Sequence, residues 1–182
     1  MTEPLEFTLT LYPDPVLRKL ADPIETFDED LRRTVAGMFE RMRKSKGVGL
    51  AAPQVGLKQR ILVLNPTGEA PDDLVLVNPT ITARSGTVTL YEEGCLSFPG
   101  IYAEIRRPDT CAVVAYDLDG KRIEQSYSGF ISRIIQHEFD HLEGVLLVDR
   151  MSPADKVAHK SALEDLIAQY KRKAARTPTP QR

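Results

Sequence analysis

The nine residues QHEFDHLEG, 136–144, carry two of the three histidines in the chain, His137 and His141, with Glu138 directly after the first. On a helix, the His-Glu-x-x-His spacing turns both imidazoles to one face, the arrangement that binds a metal ion. The residues from 130 onward fit the same helix to about 143, and Gly144 is suited to the left-handed position just past a helix end. On a wheel advancing about 100° per residue, Glu138 falls inside a stripe of Ile131, Ile134, Ile135 and Leu142. His137 and His141 lie at its edge, and Ser132, Gln136, Asp140 and Glu143 lie opposite. An unpaired carboxylate in such a stripe costs several kcal/mol or takes up a proton, so its position calls for a chemical purpose.

Working outward, residues 57–128 read as short apolar runs, ILVLN, LVLVNP, TVTLYEE and TCAVVAYDLDG, punctuated by Asn-Pro, Asp-Gly and Gly-containing turns. DLDGKRI is a hairpin signal at Asp119-Gly120. These connections are too short for crossover helices, so the strands are expected to be mostly antiparallel. Upstream, Thr26-Phe27-Asp28-Glu29 has capping-box form, and Leu31, Val35, Met38 and Met42 recur at helical spacing until Lys44-Ser45-Lys46-Gly47. Downstream, Ser152-Pro153 opens a third, amphipathic helix with Val157, Leu163 and Ile167, and a TPTPQR tail reads as disordered. The expected fold is α+β: one domain of mostly antiparallel strands packed around a metal-binding helix, with an N-terminal and a C-terminal helix.

A chain of 182 residues with 42% hydrophobic and 27% charged residues has the length and balance of one globular domain. Net charge is -2 with a pI near 6.0, and basic residues cluster only at the C-terminus, which argues against sequence-specific nucleic-acid binding. No apolar run approaches the roughly 20 residues that cross a bilayer, and MTEPLEFTLT lacks the marks of a signal peptide, so the expected compartment is the cytosol. There Cys95 and Cys111 are expected to be free thiols or metal ligands.

A catalytic site of this type uses three protein ligands and keeps a position open for water. The longer pattern H-E-x-x-H-x-x-G-x-x-H fails at its last histidine, which is Leu147 here. Glu164 on the third helix could complete a zincin-like endopeptidase site, although among several charges on an amphipathic helix it reads better as a solvated residue. Cys95 is the stronger candidate, because it follows Gly94 where an alternating strand ends and because a thiolate matches two imidazoles in softness. Cys111, within CAVVAY, reads as a small buried hydrophobe. GVGLAAPQVG, 47–56, satisfies a loose G-x-G-x-x-A but follows a helix, so it is no dinucleotide site. Its small residues suit either close approach of another backbone or a tight-packing loop, and it contains Gln54, whose amide can donate hydrogen bonds.

Together and in this order, GVGLAAPQ (47–54), EGCLS (93–97) and QHEFDH (136–141), preceded by PDPVLR (13–18), resemble the signature motifs of peptide deformylases. The resemblance implies a single catalytic domain over residues 1–176 with a tail at 177–182. It implies that Cys95, His137 and His141 bind one divalent metal ion, Fe2+ first, with Zn2+, Ni2+ or Co2+ as alternatives. Glu138 is then the general base, and Gln54 and the Leu96 N–H steady the oxyanion. Val48, Gly49 and Gly94 contact the substrate backbone, Gly49 and its neighbours pairing with it as an added strand, while Phe130 and Ile134 line a pocket for methionine. Arg133 stands where many relatives have an aliphatic residue, and Tyr102 where well-known members carry arginine. The implied reaction is hydrolysis of the formyl group of formyl-methionyl nascent chains. Lys171, Arg172, Lys173 and Arg176 are candidates to touch the ribosome. The competing expectations are the endopeptidase and an inert relative that binds nascent chains or metal.

Overall fold

Five antiparallel strands in sequential order β1-β2-β3-β4-β5 form the sheet of this computed structural model, which describes residues 4–176. They are β1 (Gly49–Ala51), β2 (Ile61–Leu64), β3 (Leu74–Gly94), β4 (Tyr102–Tyr116) and β5 (Arg122–Ser128). Strand alternation divides the sheet's side chains between two helices. Leu62, Leu64 and Leu76, with Val113 and Ala115, face Ile134, Ile135 and Leu142 of α2 (Gly129–Leu142). Ile61, Val63 and Val77 face Leu31, Val35, Met38 and Met42 of α1 (Glu29–Lys44). At roughly 1.5–3 kcal/mol per fully buried large apolar side chain, these two interfaces dominate the stability of the fold. A third cluster joins Phe98, Ile101 and Ile105 to Leu147 and Leu166 of the C-terminal segment. The α+β architecture with antiparallel strands around the histidine helix is thus as expected.

Four details differ from the sequence reading. The cap of α1 is Asp28, whose carboxylate accepts from the Leu31 N–H at 3.0 Å, so Thr26 stands outside the helix. Asn78-Pro79, read as a turn, lies inside the 21-residue β3, where the register slips between Val77 and Thr80. Asn78 adopts φ 50, and its side-chain amide clamps Ile24 through both N–H (2.7 Å) and C=O (2.8 Å), so the bulge ties the segment before α1 to the sheet. The C-terminal helix is broken at His159 into α4 (Pro153–Ala158) and α5 (Lys160–Arg176), after a single turn α3 (Leu147–Arg150). Its buried residue is Leu166, whereas Val157 is 76% exposed. On α2, Ile131 is exposed, and Ser132, Gln136 and Asp140, expected on the polar side, are buried. The tail at 177–182 lies outside the described residues.

The end of α2 is fixed sterically. Gly144 has φ +70, and a Cβ there would lie 2.5 Å from the Arg18 carbonyl oxygen. Gly144→Ala is therefore expected to lower stability by about 1–3 kcal/mol in urea denaturation. A loss under about 0.5 kcal/mol would contradict this reading of the helix stop.

Candidate metal centre

Three elements converge on the front of α2. β3 ends at Gly94 and delivers Cys95. A 3-10 turn (Ala52–Val55) directly after β1 carries Gln54, and α2 presents His137 and His141 one turn apart. The Cys95 Sγ lies 3.3 Å from His141 Nε2, and one ligand atom each from Cys95, His137 and His141 falls within 4.8 Å of the others. Donors of a tetrahedral site with bonds of ~2.0–2.3 Å sit roughly 3.5 Å apart, so this trio fits one ion after small adjustments. It is the one such group among the described residues. Cys111 is wholly buried in the core, and both thiols are free.

The donor chemistry fits as well. Burial disfavours charge on His137, yet hydrogen bonds with Cys95 and Glu93 outweigh it and hold its pKa well above the ordinary value. An environment that holds a proton at that imidazole favours a metal cation in the same place. His141 is pushed well below its ordinary pKa by burial and by the like charge of His137 and Arg107, which leaves it neutral and able to ligate. Its Nδ1 and the Glu138 Oε2 are buried with no hydrogen-bond partner among the described residues. Burial, only partly offset by His137, raises Glu138 to about 7. The carboxylate that the helical wheel places in an apolar stripe is therefore buried beside three metal donors, with one oxygen unengaged.

Behind the ligands lies a buried ionic network that the sequence reading missed. His137 Nδ1–H donates to Glu93 Oε2 at 2.9 Å, which fixes the tautomer that leaves Nε2 free to ligate. Arg107 grips Glu93 with two bonds (2.8 and 3.0 Å) and donates to Asp140 at 2.8 Å; Arg150 closes on Asp140 from outside. Arg133 also binds Glu93 (2.7 Å), the Ile105 carbonyl and Thr89, so its guanidinium is tied into the hairpin wall of the site. Period-two alternation along β4 puts Arg107 on the face of Ala103 and Ile105, and that was the available signal for a buried arginine.

Glu93 yields a pH prediction. Burial raises its pKa, but hydrogen bonds from His137 and Arg107 and their charges prevail and hold it at about 2, below the ordinary 4.5. A group depressed on folding contributes stability above its unfolded pKa and loses it as pH falls through the folded value. Stability of the metal-free protein is thus expected to decline between pH 4.5 and about 2. Urea titrations at stepped pH should show a shallower decline in Glu93→Gln, and an identical slope would contradict the assignment.

The other candidates line a cleft of about 510 Å³ that opens onto the same atoms. Val48, Gly49, Gly94, Leu96, Phe130, Ile134, Tyr102 and Arg133 all border it. Gln54 is held by its Oε1, which accepts from the Ala51 N–H at 2.8 Å, and this aims its Nε2 at Cys95 Sγ (3.5 Å). β1 is an edge strand of the sheet. The carbonyl of Val48, just before β1, accepts from the Asn65 N–H, so antiparallel alternation turns the N–H and C=O of Gly49 toward the open edge. A Cβ on Gly49 would lie 2.5 Å from Glu138 Oε1, which explains the need for glycine beside this carboxylate. Glu164 does not join the site: it is exposed on α5 with Lys160 at 3.9 Å.

Comparison with known proteins agrees with this geometry. Residues 7–157 match the family described as polypeptide deformylase. Peptide deformylase 1B, chloroplastic/mitochondrial, of Arabidopsis thaliana is 46% identical over 173 residues, covering 94% of this chain and 63% of the relative. The chain therefore spans less than two thirds of that plant protein's length. The peptide deformylase of Thermotoga maritima is 42% identical over 166 residues, covering 91% of this chain and 99% of its own. A plant peptide deformylase crystal structure superposes with a TM-score of 0.91 at 43% identity, covering all of both chains.

Proposed function

Because this chain belongs to the polypeptide deformylase family, we propose that it removes the N-terminal formyl group from formyl-methionyl polypeptides. The observation that carries this reading is the unengaged Glu138 Oε2, buried beside Cys95, His137 and His141 with the Gln54 amide across the cleft. Cys95, His137 and His141 would hold a divalent ion, which when bound would supply the Lewis acidity that makes water nucleophilic near neutral pH. Glu138 accepts the proton of the attacking water and passes it to the departing amine. Gln54 Nε2–H and the Leu96 N–H donate to the oxygen that gains charge as the formyl carbon becomes tetrahedral. Gly49 pairs through its outward N–H and C=O with the first residue of the substrate, and Phe130 and Ile134 receive the methionine side chain.

The thiolate and two imidazoles are compatible with Fe2+ and Zn2+ alike; Fe2+ is our assignment, with Ni2+ or Co2+ as substitutes. The roles given to the individual residues are part of this proposal, as is a single catalytic domain. So is cytosolic placement: no helix among the described residues is long and apolar enough to cross a membrane, and the plant relative is named as chloroplastic/mitochondrial. The basic end of α5, with Lys171, Arg172, Lys173 and Arg176, is proposed to rest near the ribosome. The deciding assay is formate release from formyl-Met-Ala-Ser by anaerobically prepared, iron-loaded protein. Turnover is expected. Tight binding without turnover would instead make the chain an inert relative.

A further inference from the structure

The rim of the cleft carries charges that the reaction does not use. Lys46, at φ +56 in the link between α1 and β1, is exposed and borders the cleft, and its side chain has no partner among the described residues. Glu92, exposed on the opposite bank, also has no side-chain partner among the described residues. The deeper charges are occupied: Glu93 by Arg107, Arg133 and His137, and Arg133 by Glu93, Ile105 and Thr89. Lys46 is thus the one unpaired cation at the mouth among the described residues.

The direction of the bound chain follows from the sheet. Strand β1 runs toward Gln54, so the formyl end lies at the C-terminal end of β1 and the peptide extends back toward its start. A chain pairing with that edge is antiparallel to β1. With the first residue opposite Gly49, the second falls opposite Val48 and the third opposite Gly47, where pairing stops because Lys46 turns at φ +56 with its N–H bonded to the Arg43 carbonyl. Lys46 itself borders the cleft just beyond Gly47, so its long side chain is within reach of a peptide's third and fourth residues.

On the deformylase reading, we infer that Lys46 is a specificity-determining residue that favours substrates with acidic side chains at the third and fourth positions. Glu92, across the cleft, opposes it. The Lys46 contact is solvent-exposed and lies away from the reacting atoms, so it acts on capture of the peptide and appears in KM while kcat stays level.

The test compares kcat/KM of the iron-loaded full chain on C-terminally amidated formyl-Met-Ala-Glu-Glu, formyl-Met-Ala-Ser-Ser and formyl-Met-Ala-Lys-Lys. At low salt the acidic peptide is expected to lead the basic one by about three- to tenfold, as suits exposed charge pairs counted twice. The lead should shrink toward equality near 0.5 M salt, where the screening length is only a few Å. Lys46→Glu should reverse the order, and Glu92→Gln should widen the wild-type lead. Equal release from all three peptides, or an order unchanged in Lys46→Glu, overturns the assignment of Lys46 and leaves the deformylase reading standing. Absence of formate from every peptide overturns both.

Discussion

Glu138→Ala is expected to lower formate release by about 10²–10⁴-fold while the protein still binds one metal ion per chain. Glu138 is not one of the three donors, and its Oε2 has no hydrogen-bond partner among the described residues, so on the proposed mechanism its removal takes away the proton acceptor without dismantling the ligand set. The same observation predicts the stability change. A buried carboxylate whose pKa burial lifts to about 7 is an unfavourable group to fold around, so Glu138→Gln should leave the melting temperature unchanged or raise it. Kinetics and metal analysis of Glu138→Ala and a thermal melt of Glu138→Gln read these consequences. Undiminished release by the alanine variant, or a large loss of stability, would contradict the role given to Glu138.

The second large effect concerns Arg107. It is 4% exposed and neutralises two buried carboxylates, Glu93 and Asp140, that belong to different elements. Arg107→Met preserves much of the volume but leaves Asp140 with only the half-exposed Arg150, and Glu93 with Arg133 and His137. Breaking a buried pair from one side costs about 3–5 kcal/mol, which for a domain of this size lowers the melting temperature by roughly 6–20 °C. Glu93 also orients His137, so metal affinity should fall by about 10–100-fold. A melting temperature within a degree or two of wild type would show that the network is not the stabilising element described.

The sequence made the metal helix legible because two independent periodicities coincide there. The four-residue spacing of His137 and His141 and the apolar stripe containing Glu138 both require the same helix, and the helix is present with boundaries shifted by one residue and with Ile134, Ile135 and Leu142 of the stripe buried, although Ile131 is exposed. Cys95 was legible because a strand pattern ends at Gly94. The polar residues of α2 were misjudged for a definite physical reason. A wheel assumes that the face opposite an apolar stripe meets water, whereas here Asp140 and Gln136 meet β4, where Arg107 and the Pro108 carbonyl satisfy them. No local pattern announces a partner 33 residues away. Asn78-Pro79 misled for the converse reason. The dipeptide favours a turn, but its left-handed Asn78 is accommodated as a bulge because Ile24, distant in sequence, offers both backbone groups to its side chain. The short strand β1 was hidden because three small and apolar residues carry no periodicity, and only its pairing with β2 defines it.

X-ray absorption at the metal edge of anaerobically purified protein tests the central claim most directly. The expected first shell contains one sulfur near ~2.3 Å and two imidazole nitrogens near ~2.0–2.1 Å, with the sulfur scattering lost in Cys95→Ser. A bound ion whose shell lacks sulfur, or keeps it in that variant, would place the metal elsewhere and contradict the site built from Cys95, His137 and His141.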